Sequence, residues 1–154
     1  MLKAITLSHV WVLDQDEALD FYVGKLGLEK RNDIPLGFMR WLTVGVPGEP
    51  GREILLELPA PPSVDEASAR QVRELVSKGA TGLCVGFVTD DCRKTYETLL
   101  ARGVEFTQEP VEHFYGIDCG LRDPFGNGLR ILQPTNTPPD APLPPKTPAG
   151  SSDS

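Results

Sequence analysis

The chain is short of cysteine, of clustered basic residues and of long apolar runs, and each shortage excludes something. Its three cysteines, Cys84, Cys92 and Cys119, are odd in number and form no CxxC pair. A disulfide framework and a zinc ribbon are therefore not expected, and a reducing cytoplasm is the expected setting. Lysine and arginine number 15 against 22 aspartate and glutamate, a net charge of −7. With no run of Lys or Arg, a protein built mainly to grip nucleic acid or an anionic membrane is excluded. No apolar stretch reaches bilayer length, and MLKAITLSHV lacks the basic segment, apolar run and cleavage site of a secretion signal. What is there is a chain of 154 residues, 40% of them apolar, enough for one domain with a buried core.

Proline is plentiful but uneven. Seven of the 15 prolines fall in the last 21 residues, PTNTPPDAPLPPKTPAGSSDS, which carry almost no apolar side chains. Such a segment cannot bury enough surface to offset its ordering entropy. A Pro-rich disordered tail is expected over 134–154, and a single folded domain over about 1–133.

Within that domain AITLSHVWVLD reads as a strand and DQDEALDFYVGKLGLEK as a helix. Asp14 or Asp16 caps this helix, Ala18, Leu19, Tyr22 and Leu26 form its apolar stripe, and Gly27 ends it. FMRWLTVGV and REILLELP are strands parted by the turn PGEPG. SVDEASARQVRELVSKGA is a second helix, with Ser63 and Glu66 spaced as a capping box and Val72, Leu75 and Val76 as the apolar face. The pattern then restarts: GLCVGFVTD is a strand, DDCRKTYETLLARG a helix, and VEFTQEPVE, YGIDCGLRD and GLRILQP are strands. Gly27-Leu28-Glu29 and Gly103-Val104-Glu105 lie 76 residues apart, as do Asp14 and Asp90. This punctuation predicts a duplicated unit. The expected fold class is α+β, with two tandem βαβββ modules over about 1–59 and 82–133 and a linker helix over about 63–79. Their sheets would join into a curved mixed surface around a ligand cavity.

The segments SHVWVLD, EALDFYVGKLGLE, LLELP, GFVTDD and YGIDCGLRDPFGNGLRILQP together resemble the vicinal oxygen chelate superfamily. The similarity runs through nearly all of residues 2–133. That group contains glyoxalase-type lyases, extradiol dioxygenases, epimerases, thiol transferases acting on fosfomycin, and bleomycin-binding resistance proteins. The resemblance implies four cavity-facing positions that hold a divalent ion in metal-using members. His9 and Glu57 stand at the first two. At the third, where histidine is usual, this chain has Cys84; at the fourth, where glutamate is usual, it has Arg130. Arginine stays protonated and has no lone pair to donate. At ~4 Å from a dication it adds repulsion of about 8 kcal/mol at an effective dielectric near 20. The expectation is therefore no cofactor. A divalent metal on His9 and Glu57, completed by His113, Asp118 or water, remains the alternative.

The same residues carry other readings. Arg130 either pairs with Glu57 as a buried ion pair or offers its donors to an anionic or enolate oxygen of a ligand. Glu57 stands between Leu56 and Leu58, and strand alternation sends it to the face opposite those leucines. There it is a candidate general base. Cys84 is either a ligand-binding thiol or a small buried hydrophobe. Trp11 shares the face of His9, and Tyr115 sits beside a glycine at the expected rim. Both are candidates to stack on a ligand, with His113 as a second titrating group. Two functions follow. One is a non-catalytic, dimer-forming binder of a small organic molecule, as in bleomycin and other antibiotic resistance, its acidic balance suiting a basic ligand. The other is a metal-dependent lyase, isomerase or dioxygenase using His9 and Glu57.

Overall fold

The computed structural model describes residues 1–135. The first module consists of β1 (Leu7–Trp11), α1 (Gln15–Leu19) continued by a π-helical segment (Asp20–Lys25), β2 (Glu29–Pro35), β3 (Arg40–Gly45) and β4 (Glu53–Glu57). After α2 (Glu66–Ser77) the second module repeats the order as β5 (Leu83–Val88), α3 (Cys92–Ala101), β6 (Phe106–His113), β7 (Gly116–Arg122) and β8 (Gly128–Pro134). The expected duplication is present, as two four-stranded mixed sheets of order β1-β4-β3-β2 and β5-β8-β7-β6. In each, the first strand pairs in parallel with the last, and the remaining neighbours are antiparallel. The sheets do not close into one continuous surface. No helix of the described residues is long and apolar enough to cross a membrane. Pro134 ends β8, and the rest of the expected tail, 136–154, lies outside the described residues.

The helices begin where a carboxylate accepts an otherwise unpaired backbone N–H. Asp14 caps α1 through Glu17 N, and Asp91 caps α3 through Lys94 N. For α2 the cap is Asp65, accepting from Ser68 N, in place of the expected Ser63–Glu66 box. An aspartate two residues nearer the helix start reaches that N–H directly. Gly27 and Gly103, with φ of 81° and 84°, end the corresponding helices in the left-handed region that other residues avoid. Strand β2, EKRNDIP, has no apolar alternation to announce it; six of its seven residues are charged, polar or proline, and its pairing with β3 holds it.

One core joins the modules. Val10, Val12, Phe21, Tyr22, Leu42, Val44 and Leu56 from the first meet Leu99, Cys119, Leu121, Leu129 and Ile131 from the second. Each such side chain contributes about 1.5–3 kcal/mol by leaving water. Two polar bonds fix the docking. The Tyr22 hydroxyl donates to Asp123 Oδ2 at 2.8 Å, and Asn127 Nδ2 donates to the Trp11 carbonyl at 2.7 Å. Asp123 is buried and its Oδ1 accepts the backbone N–H groups of Phe125, Gly126 and Asn127. Burial and the Asp123 carboxylate push the Tyr22 hydroxyl far above its ordinary range, so it remains a donor. The DPFGN turn is thus a latch between the two halves. Gly126 sits against the Val76 carbonyl at the end of α2, where a Cβ would collide.

Candidate functional site

In the first module the pleat sorts the residues as expected. Trp11 pairs with Glu57 and His9 with Leu55, so all four share one face, while Val10 and Leu56 turn to the core. Leu58, expected to be buried beside Leu56, lies beyond the end of β4 and is exposed. His9 Nε2 stands 3.8 Å from Glu57 Oε1. The His9 and Trp11 rings meet edge to face, 4.2 Å between centroids. Burial lowers the His9 pKa below 6.5, and the neighbouring Glu57 charge opposes this only in part. His9 and Trp11 line a cavity of about 390 Å³ together with Val72 and Leu75 of α2, Thr81, Cys84 and Asn127.

The second module is arranged differently. Arg130 of β8 does not pair with Glu57. Its Nη2 and Nε donate to Asp118 Oδ2 at 2.7 and 3.2 Å, and Nη2 also donates to Gln108 Oε1 at 3.0 Å. Strand register explains this. Gly120 of β7 lies opposite both Arg130 and Gln108, and its missing side chain leaves room over which the guanidinium lies. The other oxygen of Asp118, Oδ1, is 3.1 Å from His113 Nε2, and the Tyr115 hydroxyl donates to Oδ2 at 3.5 Å. The His113 and Tyr115 rings stack, 4.9 Å apart and 9° from parallel. Arg130, Asp118, His113 and Tyr115 therefore form one cluster around a buried carboxylate. The cavity of about 160 Å³ that Arg130 lines is built from second-module residues with Gly79 and Gly82.

Cys84 departs from the alternation that its strand predicts. The register shifts between Leu83 and Val85, and this bulge turns Cys84 toward Thr81 Oγ1 at 3.5 Å and Asn127 Oδ1 at 3.7 Å. Exposed Leu83 takes the adjoining place on the strand. Cys92 and Cys119, which suggested no partner in the sequence, face each other inside the core with 3.7 Å between sulfurs. Burial pushes both thiols up, Cys119 to about 12, so they are packing groups rather than nucleophiles. A larger cavity, about 500 Å³, lies between Ser8, Gly45, Val46 and Ile54 of the first sheet and Cys84–Val88 of the second. Gln108 was not among the sequence candidates. The signal for it was its place on the alternate face of β6, a polar residue opposite a glycine.

Residues 5–131 match the model of the glyoxalase/bleomycin resistance protein/dioxygenase superfamily. The chain belongs to this superfamily. It is 40% identical to the crystal structure of UcmS2, with TM-score 0.81 over 86% of this chain and 98% of that one. It is 27% identical to TnmS3, an antibiotic binding protein from Streptomyces sp. CB03234, with TM-score 0.70 over 87% and 98% of the two chains. Among curated relatives, the uncharacterized protein YurT of Bacillus subtilis (strain 168) is 35% identical over 84% of this chain and 98% of its own.

The superfamily's divalent ion tests the donor set. His9 and Glu57 have ligand chemistry. Cys84 is turned to Thr81 and Asn127, and Arg130 brings a cation without a lone pair. Among the described residues, no three His, Cys, Asp or Glu side chains are grouped to hold an ion. The residues present do not fit the four-ligand centre.

Proposed function

We propose that the protein is a non-catalytic binder of a small organic molecule, acting as a homodimer in the cytoplasm. The observation that supports this reading is the Arg130–Asp118 pair, at 2.7 Å, at the residue for which the sequence resemblance implies a metal-ligating carboxylate. A guanidinium has no lone pair to give an ion, so the set lacks its fourth donor and Glu57 lacks the Lewis acid that proton abstraction next to a carbonyl needs. What the two half-sites do offer is contact surface: the Trp11 indole on one, the stacked Tyr115 and His113 rings on the other. The likeness to an antibiotic binding protein supports the class of ligand.

The dimer rests on two features. His9 and Trp11 line one cavity and Arg130 another, so a second copy is the means of bringing the half-sites to one ligand. Leu7 of β1 and Leu83 and Val88 of β5 are exposed on strands that lie at sheet edges, where a partner would cover them. Incubation with basic and neutral antibiotics, followed by gel filtration with light scattering and mass spectrometry of the denatured complex, tests the reading. A dimer from which the ligand is recovered unchanged is expected. A chemically altered ligand would overturn the non-catalytic assignment, and a monomer carrying ligand would overturn the dimer.

One observation favours a second reading, a metal-dependent lyase, isomerase or dioxygenase. His9 Nε2 and Glu57 Oε1, 3.8 Å apart, have a spacing that two ligands of one ion share. Turnover that requires an added divalent ion and disappears in His9→Ala would select it.

A further inference from the structure

Asp118 is the most buried member of the second-module cluster, with 8% of its side chain exposed against 36% for Arg130. Both its oxygens are engaged, Oδ2 by Arg130 and the Tyr115 hydroxyl and Oδ1 by His113. Arg130 is thereby held in a fork to one carboxylate, with Gln108 accepting from the same Nη2 and Gly120 giving the guanidinium room to lie on the sheet. Two donors converging on the one oxygen Oδ2 take up part of the fork, and the carboxylate takes up the charge, that would otherwise meet an anionic ligand. An incoming carboxylate or phosphate must therefore approach a guanidinium whose counter-ion is already in place, buried and held by His113 as well.

We infer that Asp118 determines the ligand charge this site accepts, converting Arg130 from an anion clamp into a neutral set of hydrogen-bond donors. The groups left unengaged are the Arg130 Nη1 N–H donors and the outer faces of the two stacked rings. That combination recognises an uncharged oxygen acceptor, a carbonyl, ether or hydroxyl, carried on an aromatic body. The inference rests on the reading that a small molecule binds here, and it names which charge class that molecule has.

Two probes of nearly equal shape separate the alternatives: 2-naphthamide, uncharged, and naphthalene-2-carboxylate, anionic. Their affinities are measured by NMR titration against the full chain, Asp118→Asn and the double variant Asp118→Asn/Arg130→Gln. In the native chain the amide is expected to bind at least fivefold more tightly than the carboxylate. Asp118→Asn frees the Arg130 charge and is expected to raise carboxylate affinity at least tenfold while amide affinity stays within threefold. In the double variant, neutral like the native pair, carboxylate affinity returns to the native level. Should Asp118→Asn fail to fold, the double variant decides alone: a large loss of carboxylate affinity relative to the native chain would show that Arg130 clamps anions despite Asp118. Amide binding with a carboxylate affinity unmoved by Asp118→Asn would overturn the inference and leave the binding reading intact. Failure of both probes to bind any folded variant would overturn the binding reading and the inference with it.

Discussion

The two modules share order, register and punctuation, yet they differ at the places where chemistry is expected. In the first, His9 and Glu57 approach to 3.8 Å without a hydrogen bond and remain open to a further partner. In the second, Arg130, Asp118, His113 and Gln108 satisfy one another at 2.7–3.1 Å. The turns diverge too. The first module's Val46–Arg52 connection is mostly exposed, whereas the second module's DPFGN turn buries Asp123 against Tyr22 of the first. The difference teaches that a duplicated frame keeps its backbone geometry while each copy's polar side chains are free to become a site, a latch or a closed ion pair.

The largest expected contrast lies in the turns. Asp123→Ala strands three backbone N–H groups, the Tyr22 hydroxyl and Asn127, so a loss of about 4 kcal/mol is expected on chemical denaturation. Glu49→Ala in the first module's turn is expected to change stability by less than about 0.5 kcal/mol. Equal losses at the two turns would erase the distinction.

The second contrast compares the half-sites. Asp118→Ala leaves Arg130 without its counter-ion. Breaking a buried pair costs about 3–5 kcal/mol, and the partial exposure of Arg130 reduces the expectation to about 2 kcal/mol. His9→Ala is expected to cost less than about 1 kcal/mol, since its contact with Glu57 is long and half open. Urea titration of both variants measures the difference.

The smallest effect sharpens the electrostatics of the first half-site. Burial lowers the folded-state pKa of His9 below 6.5, so the folded protein binds fewer protons there than the unfolded chain. This group's contribution to stability is full above pH 6.5 and falls as pH drops from 6.5 through the folded-state value. Glu57 is what limits the lowering, so Glu57→Gln is expected to move the His9 titration, followed by NMR, further down. An upward movement would contradict that cause.

Much of the frame was legible because it is written in short-range rules. The helix-ending glycines, the cap at Asp14 and the alternation around Glu57 each depend on a few neighbouring residues. Strand β2 escaped because cross-strand pairing holds it without an apolar pattern. The candidate site was legible as a set of positions but not as a set of partners. Arg130 was expected to meet Glu57 or a ligand. Its partner Asp118 was read only as a replacement metal ligand, because pairing across β7 and β8 depends on register, and register places Gly120 under the guanidinium. Cys84 was misaligned by a bulge, an extra residue that no periodicity announces.

The central claim is that the arginine at the fourth ligand position closes the metal site and leaves a binding cavity. Native mass spectrometry of the gently purified full chain tests it most directly, because one spectrum reports copies, ions and carried ligand together. The expected result is a dimer with no stoichiometric divalent ion, unchanged in mass by EDTA. One ion per chain, lost in both His9→Ala and Glu57→Ala, would contradict it.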